Sequence, residues 1–444
     1  TKHQGLITLL ATGNYRLEIK GSNRGVGDYG FSLVNLSETP IVAFDEDITG
    51  VLNPGIEDDV YRFYGKEGQR LFFDTLSNSN LSWFIYGEGN QVIGSNGNFN
   101  DIEVELAVDG FYTIVLRGKG NLDNTVPYSF RIVTPEINTQ FIEELGTNDT
   151  PLTISNFISE KGEQDVYTFD GSNGQRLYLD LIENENRYTN IALESPSGKR
   201  YFSRSIKDFA GNITDQAIIT LIEDGTHRLV VDGDNANVSN YSFSLRDLEK
   251  VDVLALDTEQ TGTILNTNGR ETHLYKFAGT EGQRLYLESK QNAGTGAWRI
   301  YGAGNQQIGA ANLNNDFEIT LPSTDTYILA LQSNQDTPAE YKFQVITPPT
   351  ELLALDLDTN VSGAIAEKGE QDVYTFSATL GQQLYFDVIK GDNNILAKLE
   401  SPNGTQIFNI NTTKDQAPIT IIQSGIYQLT VDANSDNDGK SRYR

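Results

Sequence analysis

Apolar and polar positions alternate along most of this chain in short runs. Tyr167 and Phe169 are followed, across the turn Gly-Ser-Asn-Gly-Gln, by Leu177, Leu179 and Leu181. A side-chain period of two is that of a half-buried β-strand, and the runs are rich in the Tyr, Phe, Val and Ile that strands favour. The turn carries a Gly that can take positive φ. In "VELAVDGFYTIVL" and "ITLIEDGTHRLVV" the pairs Asp109-Gly110 and Asp224-Gly225 separate two alternating runs, which predicts hairpins. No stretch has the 3.6-residue period of a helix, so an all-β chain of short strands is expected.

The same strand-turn-strand phrase is written four times, as "YRFYGKEGQRLFFD" from Tyr61, "YTFDGSNGQRLYLD" from Tyr167, "YKFAGTEGQRLYLE" from Tyr275 and "YTFSATLGQQLYFD" from Tyr374. A period of roughly a hundred residues exceeds the roughly 20 to 50 of solenoid repeats and suits whole modules with their own cores. Closing phrases keep step, such as "GFYTIVLRG" with "YSFRIVT" and "GTHRLVVDG" with "YSFSLRD". Two modules share "WFIYGEGNQVIG" and "WRIYGAGNQQIG"; the two between and after them share "EKGEQDVYTF". The order is therefore A-B-A-B. The expected fold is a tandem row of antiparallel β-sandwich modules, at 37–134 (A), 135–246 (B), 247–347 (A) and 348–444 (B). Residues 1–36 are expected to be the C-terminal part of a preceding module, and the last strand of the fourth module to be incomplete at "SRYR". The sequence thus reads as part of a longer array. The linkers contain apolar residues spaced to pack, which predicts touching neighbours.

The chain of 444 residues carries 61 acidic and 33 basic side chains, a net charge of −28. That sign opposes nucleic acid and anionic bilayers. No apolar run approaches the roughly 20 residues of a membrane span. With no Cys, disulfides, thiolate metal sites and thiol nucleophiles are excluded.

The "DVYxF" strand, the turn ending in Gly-Gln, the "LxLD" strand, the "P-x-G" turn and the closing "GxYxLxV…YxFxV" together resemble the bacterial pre-peptidase C-terminal domain family. The resemblance covers all four modules. It implies a jelly-roll-like sandwich carried on exported proteases or large bacterial surface proteins, hence a secreted or cell-surface location. Some relatives bind calcium and a protein ligand. That places a candidate Ca2+ site at the acidic residues two before the phrase Tyr: Asp59 with Asp58, Asp165, and Asp372, with Glu57 and Glu163 close by. The third module has His273 there instead, which departs from the pattern. The alternative is that these Asp residues accept hydrogen bonds where a strand begins.

Catalysis has little to stand on in the sequence. The histidines His3, His227 and His273 do not recur between modules, and no nucleophile elbow, Walker motif or His-based metal motif is present. No enzyme is expected. Trp83 and Trp298 hold equivalent places and are expected in the core, with exposed sugar-stacking rings as the other reading. "GxGNQ" is read as a turn. The expected function is a structural or adhesive repeat segment, self-associating or touching an extracellular protein or polysaccharide. The alternative is an accessory substrate-binding or secretion-related region of a secreted hydrolase, or a binding-module array.

Overall fold

The computed structural model describes residues 5–21, 25–77, 79–147, 152–184, 189–206, 216–233, 237–265, 271–291, 295–334, 337–433 and 441–443, so His3 lies outside the described residues. Among them the chain is all-β, with mostly antiparallel pairing and only a short 3-10 turn at Leu36–Glu38.

The first unit sets the scheme. Its strands are β1 (Asp47–Leu52), β2 (Asp58–Gly65), β3 (Arg70–Thr75), β4 (Leu81–Tyr86), β5 (Val92–Asn96), β6 (Ile102–Glu105), β7 (Gly110–Gly118) and β8 (Val126–Val133). One sheet runs β1-β8-β3-β6 and the other β2-β7-β4-β5. Alternation decides which side chains face inward: Val126, Tyr128, Phe130 and Ile132 of β8 are all buried. They meet Phe63, Trp83, Ile85 and Ile114 of the other sheet in one apolar cluster. The second and third units repeat this order, with Ser239–Asp247 and Ala339–Ile346 as counterparts of β8, and each has its own cluster.

The two Asp-Gly turns are not hairpins. β6 pairs with β3 while β7 pairs with β2 and β4, so Asp109-Gly110 carries the chain from one sheet to the other. Asp224-Gly225 does the same between Gln216–Thr220 and Gly225–Gly233. Local alternation was right, but the partner of each strand is chosen by the shared core and not by adjacency. The Asp carboxylates serve the neighbouring turn: Asp109 accepts from the Glu67 N–H at 2.7 Å and Asp224 from the Asn173 N–H at 2.8 Å.

The linkers are structural. Ile137–Phe141, Asp252–Val253 and Thr350–Ala354 each pair in parallel with the first strand of the unit they introduce. Before the first unit only the isolated bridge Ile41 to Arg62 marks this place. Residues 5–21 and 25–35 form no strand, although their pattern predicted them, because no described strand pairs with them. Leu10, Tyr15, Tyr29, Phe31 and Leu33 are exposed there. In the fourth unit one sheet is complete, but the other is split into two separate pairs, Gly363–Ile365 with Ser441–Tyr443 and Gln383–Phe386 with Gln416–Thr420.

Candidate functional site

The four-times-repeated phrase builds a hydrogen-bonded turn in each unit and, in the first three, a wider constellation around it. In its turn the Gly has positive φ: Gly68 at 72°, Gly174 at 86°, Gly282 at 78° and Gly381 at 84°. The Gln that follows folds back and accepts from a turn N–H at 3.0 Å, as in Gln69 to Lys66, Gln175 to Ser172, Gln283 to Thr280 and Gln382 to Thr379. Upstream, the Asp two before the phrase Tyr reaches the Tyr of the closing strand. The Tyr128 hydroxyl donates to Asp59 at 2.5 Å, which leaves Tyr61 to donate to Tyr128 at 2.6 Å. In the second unit Tyr241 donates to Asp165, Tyr167 lies 2.6 Å from Tyr241, and Asn156 donates to both Asp165 and Tyr167. In the first and third units the residue facing the closing Tyr is Gly50 or Gly262. A Cβ there would sit 2.2 or 2.3 Å from the Tyr128 or Tyr341 hydroxyl, so only glycine lets the ring lie across the strand.

Burial and then the Asp partner push the Tyr128 and Tyr241 hydroxyls well above the ordinary phenol range, so both stay protonated donors. Burial raises the Asp165 carboxyl, with the Tyr241 bond opposing it. The third unit uses a different acceptor. His273 stands where the other units have Asp, with Nδ1 3.0 Å from the Tyr341 hydroxyl, which is itself 2.5 Å from the Tyr275 hydroxyl. Burial, aided by the charge of Arg246 and opposed by Asp252, lowers its pKa to about 4, so the ring is neutral and its nitrogen can accept.

A calcium ion takes six to eight oxygens, and most of the carboxylate oxygens named for it already face donors, while the Oδ1 of the buried Asp165 does not. Asp59 and Asp165 face hydroxyl donors, and Asp58 faces the Arg117 guanidinium at 3.4 Å. Glu57 accepts from the Asn53 N–H at 2.9 Å, and Glu163 from the Ser159 and Glu160 N–H groups at 2.5 and 2.9 Å. Asp372 is buried at the same place in the fourth unit. Among the described residues no group of three or more His, Cys, Asp or Glu side chains is gathered as for a metal.

The other sequence candidates fall into structural positions. His227 replaces a tyrosine of the closing phrase. Tyr112, Tyr327 and Tyr427 each donate to the carbonyl four residues back, at 2.7, 2.6 and 2.8 Å. His227 instead holds the Gly225 carbonyl at 2.9 Å and the Tyr201 hydroxyl at 3.0 Å, stacked on Phe169. Trp83 and Trp298 are core residues, and Trp83 donates to the Asn100 carbonyl at 3.0 Å.

The sequence reading expects neighbouring units to touch but does not name the residues of the joints, which come in two alternating kinds. At the first-to-second joint, Lys161 lies 2.7 Å from Asp74 and 3.2 Å from Asp101. Arg70 bonds Glu103 and lies 3.5 Å from Asp232, which also accepts from Gln164 at 2.9 Å. The third-to-fourth joint repeats it: Lys368 lies 3.0 Å from Glu288 and 3.1 Å from Asp316, Arg284 lies 3.1 Å from Glu318, and Gln371 donates to Asp432 at 2.5 Å. Burial pulls the Lys368 ammonium down, but Glu288 and Asp316 leave it above the ordinary lysine value. Gly162 and Gly369 have φ of 78° and 72° and rest on Phe72 and Tyr286, where a Cβ would come within 3.0 and 2.9 Å of the partner Cβ. The signal was present, since "EKGEQ" belongs only to the units that dock this way.

The second-to-third joint is buried. Asp180 and Arg246, both fully buried, lie 3.5 Å apart. They grip one residue of the next unit: Asp180 accepts from the Thr272 N–H at 2.9 Å and hydroxyl at 3.0 Å, while Arg246 donates to the Thr272 carbonyl. Tyr178, Ile218, Leu248, Leu274, Tyr301 and Ile328 close around them. Nearby the "GNQ" turn docks, with Asn305 donating to Thr220 at 2.8 Å and accepting from Arg176 at 3.1 Å. The first unit makes the matching contact, Asn90 donating to Thr8 at 2.7 Å.

No family model and no curated protein matches the chain. Solved structures overlap single portions of it. A periplasmic inhibitor of g-type lysozyme from Aeromonas hydrophila is 13% identical over 26% of this chain and 98% of its own, at a TM-score of 0.20. The Salmonella Typhimurium inhibitor is 19% identical over 25% of this chain and 98% of its own, at 0.18. The CUB1-EGF-CUB2 region of human MASP-1/3 is 11% identical over 45% of this chain and 99% of its own, at 0.16. Likenesses this low carry no argument about function. Among the described residues no helix is long and apolar enough to cross a membrane.

Proposed function

We propose that this chain is a tandem array of antiparallel β-sandwich units, jelly-roll-like in arrangement, that forms a structural or adhesive segment of a large exported bacterial surface protein. The observation that carries this reading is the repetition of the joints. The Lys-Gly-Gln docking of one unit on the last is written twice with the same geometry, and the Asn–Thr contact of the other joint is also made twice. Unit-to-unit contact that is repeated residue by residue fits a chain whose task depends on spacing and orientation. The resemblance to pre-peptidase C-terminal domains supports export. Burial of both tryptophans removes the sugar-stacking platform that a carbohydrate-binding array would have used there.

The test is electron microscopy of the purified chain, with and without a calcium chelator, beside calorimetry. Rods of fixed joint angle, unchanged by chelator, are expected. Strings with freely varying joints would overturn a spacing role, and collapse on chelation would restore the calcium site. In calorimetry, sandwich units with separate cores unfold in more than one transition. A continuous solenoid with one shared core would unfold in a single one.

A further inference from the structure

The strand that ends the repeated phrase lies at all three joints, and the same side of it meets the next unit. These strands are β3 and its counterparts Arg176–Asn184 and Arg284–Ser289. By alternation their outward positions are Arg70, Phe72 and Asp74 in the first unit, Arg176, Tyr178 and Asp180 in the second, and Arg284, Tyr286 and Glu288 in the third. Each arginine crosses its joint. Arg70 lies 3.5 Å from Asp232, Arg176 donates to the Gly302 carbonyl at 2.8 Å, and Arg284 donates to the Gly369 carbonyl at 3.0 Å. Each ring is covered from across the joint: Gly162 rests on Phe72, Gln332 donates to the Tyr178 hydroxyl at 2.7 Å, and Gly369 rests on Tyr286. Each acid holds one incoming residue, Lys161 on Asp74, Thr272 on Asp180 and Lys368 on Glu288. The phrase therefore writes a docking strip as well as a turn.

The incoming residue changes where one neighbour of the acid changes. Opposite the aromatic residue of the strip, on the closing strand, stand Val133 in the first unit, Ile346 in the third and Arg246 in the second. In the first unit Arg131, opposite Asp74, is bonded to Asp47 at 2.7 Å, and in the third the residue opposite Glu288 is the neutral Gln344. There a lysine arrives. In the second unit Arg246 already lies 3.5 Å from Asp180, and a neutral threonine arrives, its N–H and hydroxyl on Asp180 and its carbonyl on Arg246. A lysine at this joint would crowd two cations onto one buried carboxylate. A threonine on the acid of the other joints would leave a carboxylate without its counter-charge, so each wrong pairing carries a penalty. We propose that the residue facing the aromatic ring of the strip decides which unit docks: an apolar residue there makes a surface for a lysine-bearing turn, and an arginine makes one for a neutral hydroxyl. One position thereby keeps the two kinds of unit alternating. The inference deepens the reading of ordered joints and rests on it.

The test moves the determinant within the full chain. Because the chain has no Cys, spin labels can be placed at will, at the exposed Leu122, Lys199 and Gln291 of the first, second and third units. Leu122→Cys with Lys199→Cys reports the first joint, and Lys199→Cys with Gln291→Cys the second. Pulsed electron paramagnetic resonance is expected to give one narrow label-to-label distance at each. Thr272→Lys is expected to broaden the second distance, and adding Arg246→Val to narrow it again, the lysine taking the arginine's place on Asp180. Reciprocally, Val133→Arg is expected to broaden the first distance and Lys161→Thr to narrow it. Circular dichroism checks that each variant keeps its sheets. Val133 is only half-buried, so that pair decides the matter even where a change at the buried joint unfolds a unit. Folded variants in which Thr272→Lys or Val133→Arg leaves the distance narrow, or in which the second change rescues nothing, would overturn the selection and leave the ordered array standing. Broad distances at both joints of the otherwise unchanged chain would overturn the array reading itself.

Discussion

Single residues explain why one phrase is kept in every unit. Its Gly and Gln shape the turn in all four units, and in the first three its Asp or His and its Tyr meet the Tyr of the closing strand; a buried hydroxyl without an acceptor costs about 1 to 3 kcal/mol. His273 makes the third unit sensitive to acid. Its pKa falls from about 6.5 in the unfolded chain to about 4 in the folded one, so the folded state disfavours the proton. Its contribution is complete above pH 6.5 and is lost as pH falls toward 4, by at most about 3 kcal/mol. His273→Asn keeps an acceptor for Tyr341 and removes the titration. Urea unfolding followed by Trp298 fluorescence, in a Trp83→Phe background, is expected to weaken between pH 6.5 and 4 with His273 and to lose that slope with Asn. Much at this scale was not legible beforehand. The Asp positions were singled out for their repetition, but their acceptor role depends on a tyrosine some seventy residues later, as in Asp59 with Tyr128. The absence of Asp at His273 looked like a break in the pattern, yet the ring nitrogen fills the same role.

At the scale of elements, strands were readable because alternation is local, and their partners were not because sheets are assembled at long range. Asp109-Gly110 shows the difference: a correct turn, between strands of two different sheets. Residues 29–34 show it again, since a strand pattern without a paired neighbour remains exposed. The joints are elements too. Gly162→Ala would force a side chain into positive φ and against Phe72, at a cost of about 1 to 2 kcal/mol. Faster proteolysis in the 135–163 stretch is the expected readout, with the apolar clusters of both flanking units intact by fluorescence. Arg246→Met would leave Asp180 buried without its counter-charge. A loss of about 3 to 5 kcal/mol is expected at the second-to-third joint, larger than for Lys161→Met, whose partly exposed pairs are worth about 1 kcal/mol or less. Hydrogen exchange at Thr272, whose N–H meets Asp180, would rank the two.

For the whole molecule, the net charge of −28 sits on a row of units whose basic side chains help to hold the joints. Raising the salt concentration screens the Lys161 and Lys368 pairs far more than the buried Asp180–Arg246 pair. Small-angle scattering from low to high salt is therefore expected to show bending at the first and third joints while the middle joint holds; uniform stiffness or uniform collapse would contradict that division. The alternation of ionic joints with one fully buried joint also has a mechanical meaning. Under tension the two ionic couplings are expected to yield first, at low force and reversibly, and the buried one only near the force that tears a unit open. A pulled fibre of such chains would be soft over small extensions, stiff beyond them, and softer still in brine.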